Sequence, residues 1–278
     1  MRIAITGSCG RIGRALSQLA LSQGHRVVSI DQVPLVDEWA APDLTHIETD
    51  LQDYAAFEQA LIGCDALVHL AAISSPMNHP AYVVHNTNVV LNYNALSAAA
   101  HLGLNRVCLA SSINAIGAIF SRWPRYDYFP LDEQHPTYNE DAYSLSKWLG
   151  ELQADAFARR YGEMSIASLR LHGTVPSRPA PLNLESTQAA QAAKQLWGYT
   201  NLNAAARACL LALTAPFTGH ERFYIVASDT MMDVPSRQLK KRYFPDVPLH
   251  GDLSGHRSFF DCAKAERLLG WKHEEENV

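Results

Sequence analysis

The chain has 278 residues, 47% hydrophobic and 18% charged, which suits one large core with a small additional lobe. Its formal net charge is -5 and no run of positive residues occurs, so neither a nucleic-acid nor an anionic-membrane partner is expected. No apolar stretch approaches the roughly 18 residues of a membrane span, and the first residues already form a strand pattern rather than a signal peptide. We therefore expect a cytoplasmic protein with a small-molecule ligand.

Five scattered cysteines form no CxxC pair and have no regular spacing. This argues against a disulfide framework and against a structural zinc site. The sequence predicts no metal centre.

Short strands rich in β-branched residues alternate with helical segments through the first two-thirds of the chain. The predicted strands lie near 2–6, 26–30, 46–49, 66–70, 106–110 and 165–171, and the helices at 11–23, 53–62, 81–101 and 141–161. This alternation predicts an α/β fold with a doubly wound parallel sheet, the Rossmann arrangement, as the main domain at 1–172.

Beyond residue 172 the alternation weakens, and three prolines interrupt the pattern at 176, 179 and 181. Short helices are predicted near 186–196, 203–213 and 261–269, around a strand at 222–226. We expect a small substrate-binding lobe at 173–278, interleaved with the main domain and packed over the carboxyl edge of its sheet.

A glycine-rich turn follows the first strand and opens the first helix. Gly7 permits a tight turn, Gly10 lets the backbone approach a pyrophosphate, and Gly13 lets the helix pack on the strand. The amino end of the helix attracts phosphate charge. The alternative is a strand-to-helix turn without a ligand. The dinucleotide contacts predicted from this turn are Gly7, Cys9, Gly10, Arg11, Ile12 and Gly13.

Asp31 ends the second strand, where its carboxylate can accept hydrogen bonds from both adenine-ribose hydroxyls and would repel a 2′-phosphate. NAD is therefore favoured over NADP. Arg11 and Arg14 keep the NADP alternative open. Asp50 and Leu51, after the third strand, are predicted to hold the adenine, or Asp50 only caps the following helix.

Tyr143 and Lys147 stand four residues apart, on one face of a predicted helix. A phenol has an unperturbed pKa of about 10, and a neighbouring lysine charge together with an oxidised nicotinamide would lower it toward neutral pH. The pair suits a general base. The alternative is a chance spacing on a surface helix.

Further motifs follow in order along the chain: His69-Leu70-Ala71-Ala72, Asn88, and Ser111-Ser112 to Gly117. Together with the glycine turn, Asp31, Asp50-Leu51 and the Tyr143 to Lys147 run, they resemble the extended short-chain dehydrogenase/reductases over nearly the whole length. That group comprises NAD-dependent epimerases, dehydratases and sugar dehydrogenases.

The resemblance implies a catalytic trio. Tyr143 would take the proton from a substrate hydroxyl as hydride leaves the same carbon, Lys147 would bind the nicotinamide ribose, and Ser112 would bind the reacting oxygen. His69 is interpreted as a structural histidine rather than a base or metal ligand. The further cofactor contacts that the resemblance implies are Leu70, Ala71, Ala72, Tyr143, Lys147 and Asn88, the last chiefly as a support beneath the cofactor.

Three departures from the family pattern bear on the substrate. Ile116, Gly173 and Ala204 replace a tyrosine, an asparagine and an aspartate that nucleotide-sugar epimerases usually have. The chain is more similar to uronate dehydrogenases, which oxidise a free hexuronic acid at its anomeric carbon. The predicted substrate contacts are Ser74, Ser75, Ser112, Asn114, Tyr143, Arg170 and His172, with a buried structural ion pair as the alternative for Arg170.

The leading hypothesis is an NAD-dependent oxidoreductase that transfers hydride from a hydroxyl of a sugar or sugar acid. A nucleotide-sugar epimerase or dehydratase with retained NAD is the alternative, and a non-catalytic dinucleotide-sensing regulator is a third. We expect a homodimer through the helices at 81–101 and 141–161, unless these faces belong to an intramolecular core. The aromatic segment 120–130 is expected to line the substrate pocket or to form a packed surface loop.

Overall fold

A computed structural model describes residues 1–36 and 41–274; the last four residues of the expected lobe, 275–278, lie outside the described part. The elements, in chain order, are β1 (Arg2–Thr6), α1 (Arg11–Ser22), β2 (Arg26–Asp31), β3 (Leu44–Glu48), α2 (Tyr54–Leu61), β4 (Ala66–His69), α3 (Ala81–His101), β5 (Arg106–Ser112), α4 (Ala142–Arg160), β6 (Ser165–Leu171), β7 (Thr174–Val175), α5 (Thr187–Ala192), β8 (Thr200–Asn201), α6 (Leu202–Thr214), β9 (Gly219–Ile225), α7 (Ser236–Tyr243) and α8 (Ala263–Leu269).

Seven strands form one sheet in the order β3-β2-β1-β4-β5-β6-β9, and every pairing in it is parallel. The strand order turns back between β1 and β4, which creates a crevice at their carboxyl ends. The predicted doubly wound parallel sheet is confirmed.

Helices cover both faces of the sheet, as the near-continuous apolar strands require. Ile3 and Ile5 of β1 pack in the core beneath α1, α6 and α8, whereas Ala4 between them packs beneath α2, α3 and α4. This alternation follows from the two-residue period of a strand. Each strand therefore contributes side chains to two cores, and this fixes the register of the strands whose ends form the crevice.

The strand expected in the lobe belongs instead to the main sheet. It forms β9, which pairs along its whole length with β6, while α6 packs against α1. Phe223 and Ile225 of β9 are fully buried in the core under α1 and α6. The chain thus returns to the sheet after residue 172, and the boundary expected there does not separate two compact units.

The lobe is built from a third core, rich in aromatic residues, that draws on segments before and after β6. Phe129, Trp197 and Phe259 are its large, fully buried members. Two of its parts were not predicted: the short β7–β8 pair, and α7, in which only Ser236 and Leu239 are buried. A helix with so few apolar positions shows little periodicity in its sequence.

None of the helices in the described part of the chain combines the length and the apolar composition needed to cross a bilayer. The five cysteines are all free thiols.

Candidate active site

A cleft of about 800 Å³ opens at the carboxyl ends of β1, β2 and β4, where the strand order turns back. Its size and position suit a dinucleotide. The predicted contacts that line it are Gly7, Cys9, Gly10, Arg11, Ile12, Gly13, Asp31, Asp50, Leu51, Leu70, Ala71, Ala72 and Ser74.

The glycine turn is packed so closely that side chains do not fit at two of its positions. Gly7 has a φ of +65°, and a Cβ there would lie 2.7 Å from the backbone nitrogen of Ala71. A Cβ on Gly13 would lie 2.4 Å from the Gly7 oxygen. At Gly10, the N-cap of α1, no side chain caps the helix. The first turn of α1 therefore offers its backbone N–H groups to an anion, which fits the diphosphate of NAD.

Asp31 lies at the end of β2 with both carboxylate oxygens partly engaged. Oδ2 accepts a hydrogen bond from the backbone nitrogen of Cys9 (2.9 Å), and Oδ1 accepts one from that of Gln32 (2.8 Å). Each oxygen keeps further capacity to accept a ribose hydroxyl. Arg14, one of the two arginines that keep the NADP alternative open, donates a hydrogen bond to the Cys9 backbone oxygen (2.7 Å).

A chain of hydrogen bonds braces the adenosine end of the cleft. Ser29 on β2 donates to the Ser8 hydroxyl (2.7 Å) and contacts Nδ1 of His46 on β3 (2.9 Å). Nε2 of His46 lies 3.1 Å from the Val33 oxygen, in the loop after Asp31. The glycine turn and this loop are thus connected through two strands.

Several cleft residues were missed from the sequence: Gln32, Val33, Gln52, Ile73, His79, Val83, Thr87, Leu91, Ala110 and Thr174. Gln32 and Val33 directly follow Asp31, so their position next to a predicted contact could have indicated them. Thr174 comes from β7, across the cleft from the glycine turn, and no local pattern indicates that approach.

Tyr143 and Lys147 lie one turn apart at the start of α4. Asp141 caps this helix, with Oδ1 accepting from the Ser144 nitrogen (2.9 Å). The Lys147 Nζ donates to the oxygen of Ala110 (2.7 Å), a residue that lines the cleft. The helix cap and the strand end therefore hold the lysine next to the cleft, although neither Lys147 nor Tyr143 itself lines it.

Ser112 is oriented toward Tyr143 by its neighbour. Its hydroxyl oxygen accepts hydrogen bonds from the backbone and side-chain nitrogens of Asn114 (3.1 and 3.2 Å). The hydroxyl proton is therefore free to be donated within the site, and the Ser112 hydroxyl lowers the pKa of Tyr143. Asn114 is held in turn, because its Oδ1 accepts from the Ile119 nitrogen (3.0 Å). Asn114 thus fixes the position of the Ser112 hydroxyl.

Burial dominates the electrostatics of the pair. Burial raises the pKa of Tyr143 to about 12, with Ser112 lowering it and the Asp141 charge raising it. Burial lowers the pKa of Lys147 to about 8. Without a cofactor the phenol is protonated at neutral pH, so it needs the positive nicotinamide ring to become a base.

His69 is a structural residue. Thr6 accepts hydrogen bonds from two backbone nitrogens after β4, so its hydroxyl donates to Nδ1 of His69 (2.8 Å). Burial, with a smaller contribution from Lys147, lowers the pKa of His69 to about 3. It is therefore neutral. Among residues 1–36 and 41–274, no three His, Cys, Asp or Glu side chains are grouped to hold a metal ion.

Asn88 does not line the cleft but lies beside it, in a position that fits its predicted role as a support. Its Oδ1 accepts from the Ile73 nitrogen (2.8 Å), and its Nδ2 donates to the Ile73 oxygen (3.0 Å) and the Ser146 hydroxyl (3.1 Å). The amide thus ties the loop after β4 to α4.

Arg170 is not placed to bind a substrate carboxylate. Its side chain is 1% exposed, and it donates to both carboxylate oxygens of Glu151 (2.9 and 2.8 Å). Glu151 also accepts from Ser111 (2.6 Å) and Arg222 (2.8 Å). The alternative of a buried structural ion pair is therefore what the structure shows. Glu151 lies on a different element, so no local pattern in the sequence indicates the pairing.

His172 is also committed to the fold. Its Nδ1 accepts from the Gly173 nitrogen (2.7 Å), so Nε2 donates to the Gln195 oxygen (3.0 Å). Burial lowers its pKa to about 4, which leaves it uncharged. Both nitrogens of this neutral imidazole already have hydrogen-bond partners, so neither can donate to a substrate carboxylate.

The remaining predicted substrate contacts differ in their availability. Ser74 is exposed in the cleft, whereas Ser75 accepts from the Met77 nitrogen (3.2 Å). In the 120–130 segment, the Phe120 ring packs edge-on against Tyr143 with centroids 5.7 Å apart. Trp123, in contrast, is 86% exposed. The segment therefore contacts Tyr143 at one end and forms surface in its middle.

The switch-point cleft and the Ser112, Tyr143 and Lys147 side chains define a Rossmann-fold protein with a site for a dinucleotide. The family model for the NAD dependent epimerase/dehydratase family matches residues 3–227. The chain belongs to that family, and the cleft geometry fits the cofactor in the family's description.

Relatives are distant. An uncharacterized protein of Mycobacterium tuberculosis is 36% identical over 112 residues, covering 40% of this chain and 12% of that protein. A uronate dehydrogenase of Pseudomonas putida is 28% identical over 183 residues, covering 66% of this chain and 63% of the relative. The match thus spans less than two thirds of either relative. The UDP-glucose 4-epimerase of Thermus thermophilus, solved in complex with NAD, has a TM-score of 0.70 at 19% identity, covering 99% of this chain and 94% of that one.

Proposed function

We propose that the protein oxidises a hydroxyl group of a free sugar or sugar acid, with NAD as the hydride acceptor and Tyr143 as the general base. The observation that carries this proposal is the grouping of three side chains beside the cleft. The Ser112 hydroxyl lowers the pKa of Tyr143, and the Lys147 ammonium lies 5.7 Å from the Tyr143 ring centroid and donates to the oxygen of Ala110, which lines the cleft.

The side chains have distinct tasks in this reaction. NAD held by the glycine turn and Asp31 would supply a hydride acceptor for the carbinol carbon. Ser112 donates a hydrogen bond that fixes the substrate oxygen, and Tyr143 takes the proton from that oxygen. Lys147 stays positive near neutral pH, because its pKa is about 8, and so stabilises the phenolate. The breaking O–H and C–H bonds leave a carbonyl group.

The lobe supports a substrate without a nucleotide. A nucleotide diphosphate needs several cationic partners. Arg170 and Arg222 are paired with the buried Glu151, and of these three arginines Arg178 belongs to the most exposed pair, with Asp229 (3.0 and 2.8 Å). The departures at 116, 173 and 204 point the same way. The name of the Pseudomonas putida relative, a uronate dehydrogenase, also supports a free sugar acid.

The test is a substrate panel followed by NADH absorbance. Uronic acids, neutral aldoses and nucleotide sugars are each incubated with the protein and NAD. We expect NADH to accumulate with at least one free sugar. Epimer formation from a nucleotide sugar, with no NADH from any free sugar, would contradict the proposal and support the epimerase alternative.

We also propose a homodimer formed through α3 and α4. These helices pack side by side, and both leave apolar side chains at the surface. Val90 and Tyr93 on α3 are 42% and 52% exposed, and Leu145 and Leu152 on α4 are 38% and 40% exposed. A two-fold contact would bury this face against its own copy.

A further inference from the structure

The side chain of Arg11 crosses the dinucleotide cleft and contacts Thr174 on the opposite wall. Arg11 is the first residue of α1, next to the glycine turn, and Thr174 is the first residue of β7 in the lobe. The arginine Nη2 donates to the Thr174 backbone oxygen (2.8 Å) and to its hydroxyl oxygen (3.1 Å). Both residues line the cleft. One side chain therefore connects the two walls.

The wall that contains Thr174 is held firmly. In the β7–β8 pair, Thr174 stands opposite Thr200, whose nitrogen donates to the Gly173 oxygen (3.1 Å). Two residues beyond β7's start, the Pro176 oxygen accepts from the Asn201 side chain (3.1 Å). Backbone and side-chain bonds thus fix this segment to the lobe.

The wall that contains Arg11 is closely packed, because the glycine turn leaves no space for a side chain at Gly7 and Gly13. The Arg11 side chain, in contrast, is exposed. Between these two walls, this side chain is the part that can swing away on the timescale of a rotamer change.

The guanidinium still has donors for a ligand. Of its five N–H donors, both contacts to Thr174 use Nη2, and within the described ranges no hydrogen bond or ion pair involves its Nε or Nη1. The diphosphate of a dinucleotide is expected at Gly10, the adjacent residue, where α1 begins. Arg11 can therefore hold Thr174 and donate charge-assisted hydrogen bonds to the diphosphate together.

We propose that Arg11 and Thr174 form a strap over the diphosphate, and that this cross-cleft contact sets how slowly the dinucleotide leaves. The strap has to open for entry and for release. The inference rests on the proposed function in one respect: a net oxidation exchanges its dinucleotide at every turnover, so release by this strap limits the turnover rate.

The test measures NADH dissociation without any sugar. Protein loaded with NADH is mixed with excess NAD in a stopped-flow fluorimeter, for wild type, Arg11→Met, Thr174→Val and the double variant. We expect Arg11→Met to raise the dissociation rate about tenfold, the loss typical of one charge-assisted hydrogen bond, and Thr174→Val to raise it a few-fold. The double variant should dissociate no faster than Arg11→Met, because Arg11→Met already removes both hydrogen bonds to Thr174, including the hydroxyl bond that Thr174→Val deletes. Arg26→Met, far from the cleft, is the control for a lost surface arginine.

Three outcomes decide the matter. A dissociation rate within twofold of wild type in Arg11→Met overturns the strap, as do single effects that multiply in the double variant. A change confined to the association rate, lost at high salt, shows simple charge attraction and overturns it too. The expected rates in a protein that oxidises no free sugar would leave the strap standing and remove only the proposed function. Thermal unfolding of each variant confirms that the folded protein is being compared.

Discussion

The Lys147 ammonium nitrogen lies 5.7 Å from the centroid of the Tyr143 ring, one helical turn along α4. Burial raises the pKa of the phenol to about 12 and lowers the pKa of the ammonium to about 8. Each buried group disfavours its own charged form, and a phenolate next to an ammonium is the arrangement in which both charges are compensated. The pair is therefore prepared for proton transfer but not yet ionised at the phenol.

Removing the phenol hydroxyl should stop turnover without harming dinucleotide binding. For Tyr143→Phe we expect a kcat loss of about a thousandfold, within the range for a positioned general base, with the NAD dissociation constant within about threefold of wild type. Steady-state kinetics and calorimetric titration provide the two measurements. Tyr161→Phe, at the exposed end of the same helix, should behave as wild type. Unchanged turnover in Tyr143→Phe would remove the tyrosine from the chemistry.

Replacing Lys147 with an apolar residue should stabilise the fold while abolishing activity. The fall of the Lys147 pKa from 10.5 to about 8 corresponds to a cost of up to about 3 kcal/mol at pH 7. Lys147→Met should therefore raise the free energy of unfolding, measured with urea, by up to that amount.

The same shift predicts the pH dependence. Between pH 8 and 10.5 the unfolded wild type binds more protons at Lys147 than the folded protein, so wild-type stability rises with pH in that window. The advantage of Lys147→Met should accordingly shrink from about pH 7 to about pH 10. Lys272→Met, an exposed lysine, serves as the control. A less stable Lys147→Met protein at neutral pH would show that the charge is compensated in the fold.

The coenzyme preference depends on the charge of Asp31. For Asp31→Asn we expect weaker NAD binding and a gain in NADP binding, so that the ratio of the two dissociation constants moves toward NADP by at least about tenfold, since a like-charge repulsion is removed. Fluorescence titrations with both coenzymes measure the ratio. Asp43→Asn, an exposed aspartate paired with Arg26, should leave it unchanged. Wild-type preference for NADP would refute the role given to Asp31.

Arg170 and Arg178 should separate stability from substrate binding. Arg170→Met leaves the buried Glu151 charge with fewer partners, and we expect the free energy of unfolding to fall by about 3 kcal/mol. Arg178→Met breaks a pair whose arginine side chain is 38% exposed, and should cost less than about 1 kcal/mol. Arg178 is thus the arginine available to a sugar carboxylate. An Arg178→Met protein whose KM rises for a uronic acid and not for a neutral sugar would show that contact.

The proposed dimer face can be tested with one charge. Leu152→Glu places a carboxylate in the middle of the exposed apolar face of α4 and should shift the protein to a monomer in light-scattering chromatography. Leu249→Glu, an equally exposed leucine (42%) in the lobe, is the matched control. A wild-type protein that is already monomeric at micromolar concentration would rule out the dimer.

Local patterns predicted the parts of the site that are themselves local. The glycine turn and Asp31 lie within one strand–helix–strand unit, so their spacing in sequence determines their spacing in the fold. Tyr143 and Lys147 share a helix face for the same reason. The parallel sheet followed from alternating strands and helices, because that order leaves few topologies.

Contacts between distant segments were not available from the sequence. Arg170 and Glu151 belong to β6 and α4, and nothing in either segment indicates that the two charges meet. Thr174 reaches the glycine turn only because the lobe folds back over the cleft. A strand pattern likewise shows that β9 exists but not which sheet it joins, which explains its assignment to the lobe.

The placement of β9 has a consequence for synthesis of the chain. β6 is buried at all seven of its residues and needs β9 along its free edge, and β9 ends at Ile225. A nascent chain that has only reached residue 172 presents an apolar, unpaired strand edge, which is prone to aggregate. On the ribosome, the sheet around the glycine turn can therefore pair early, whereas the β6 edge stays open until Ile225 has emerged.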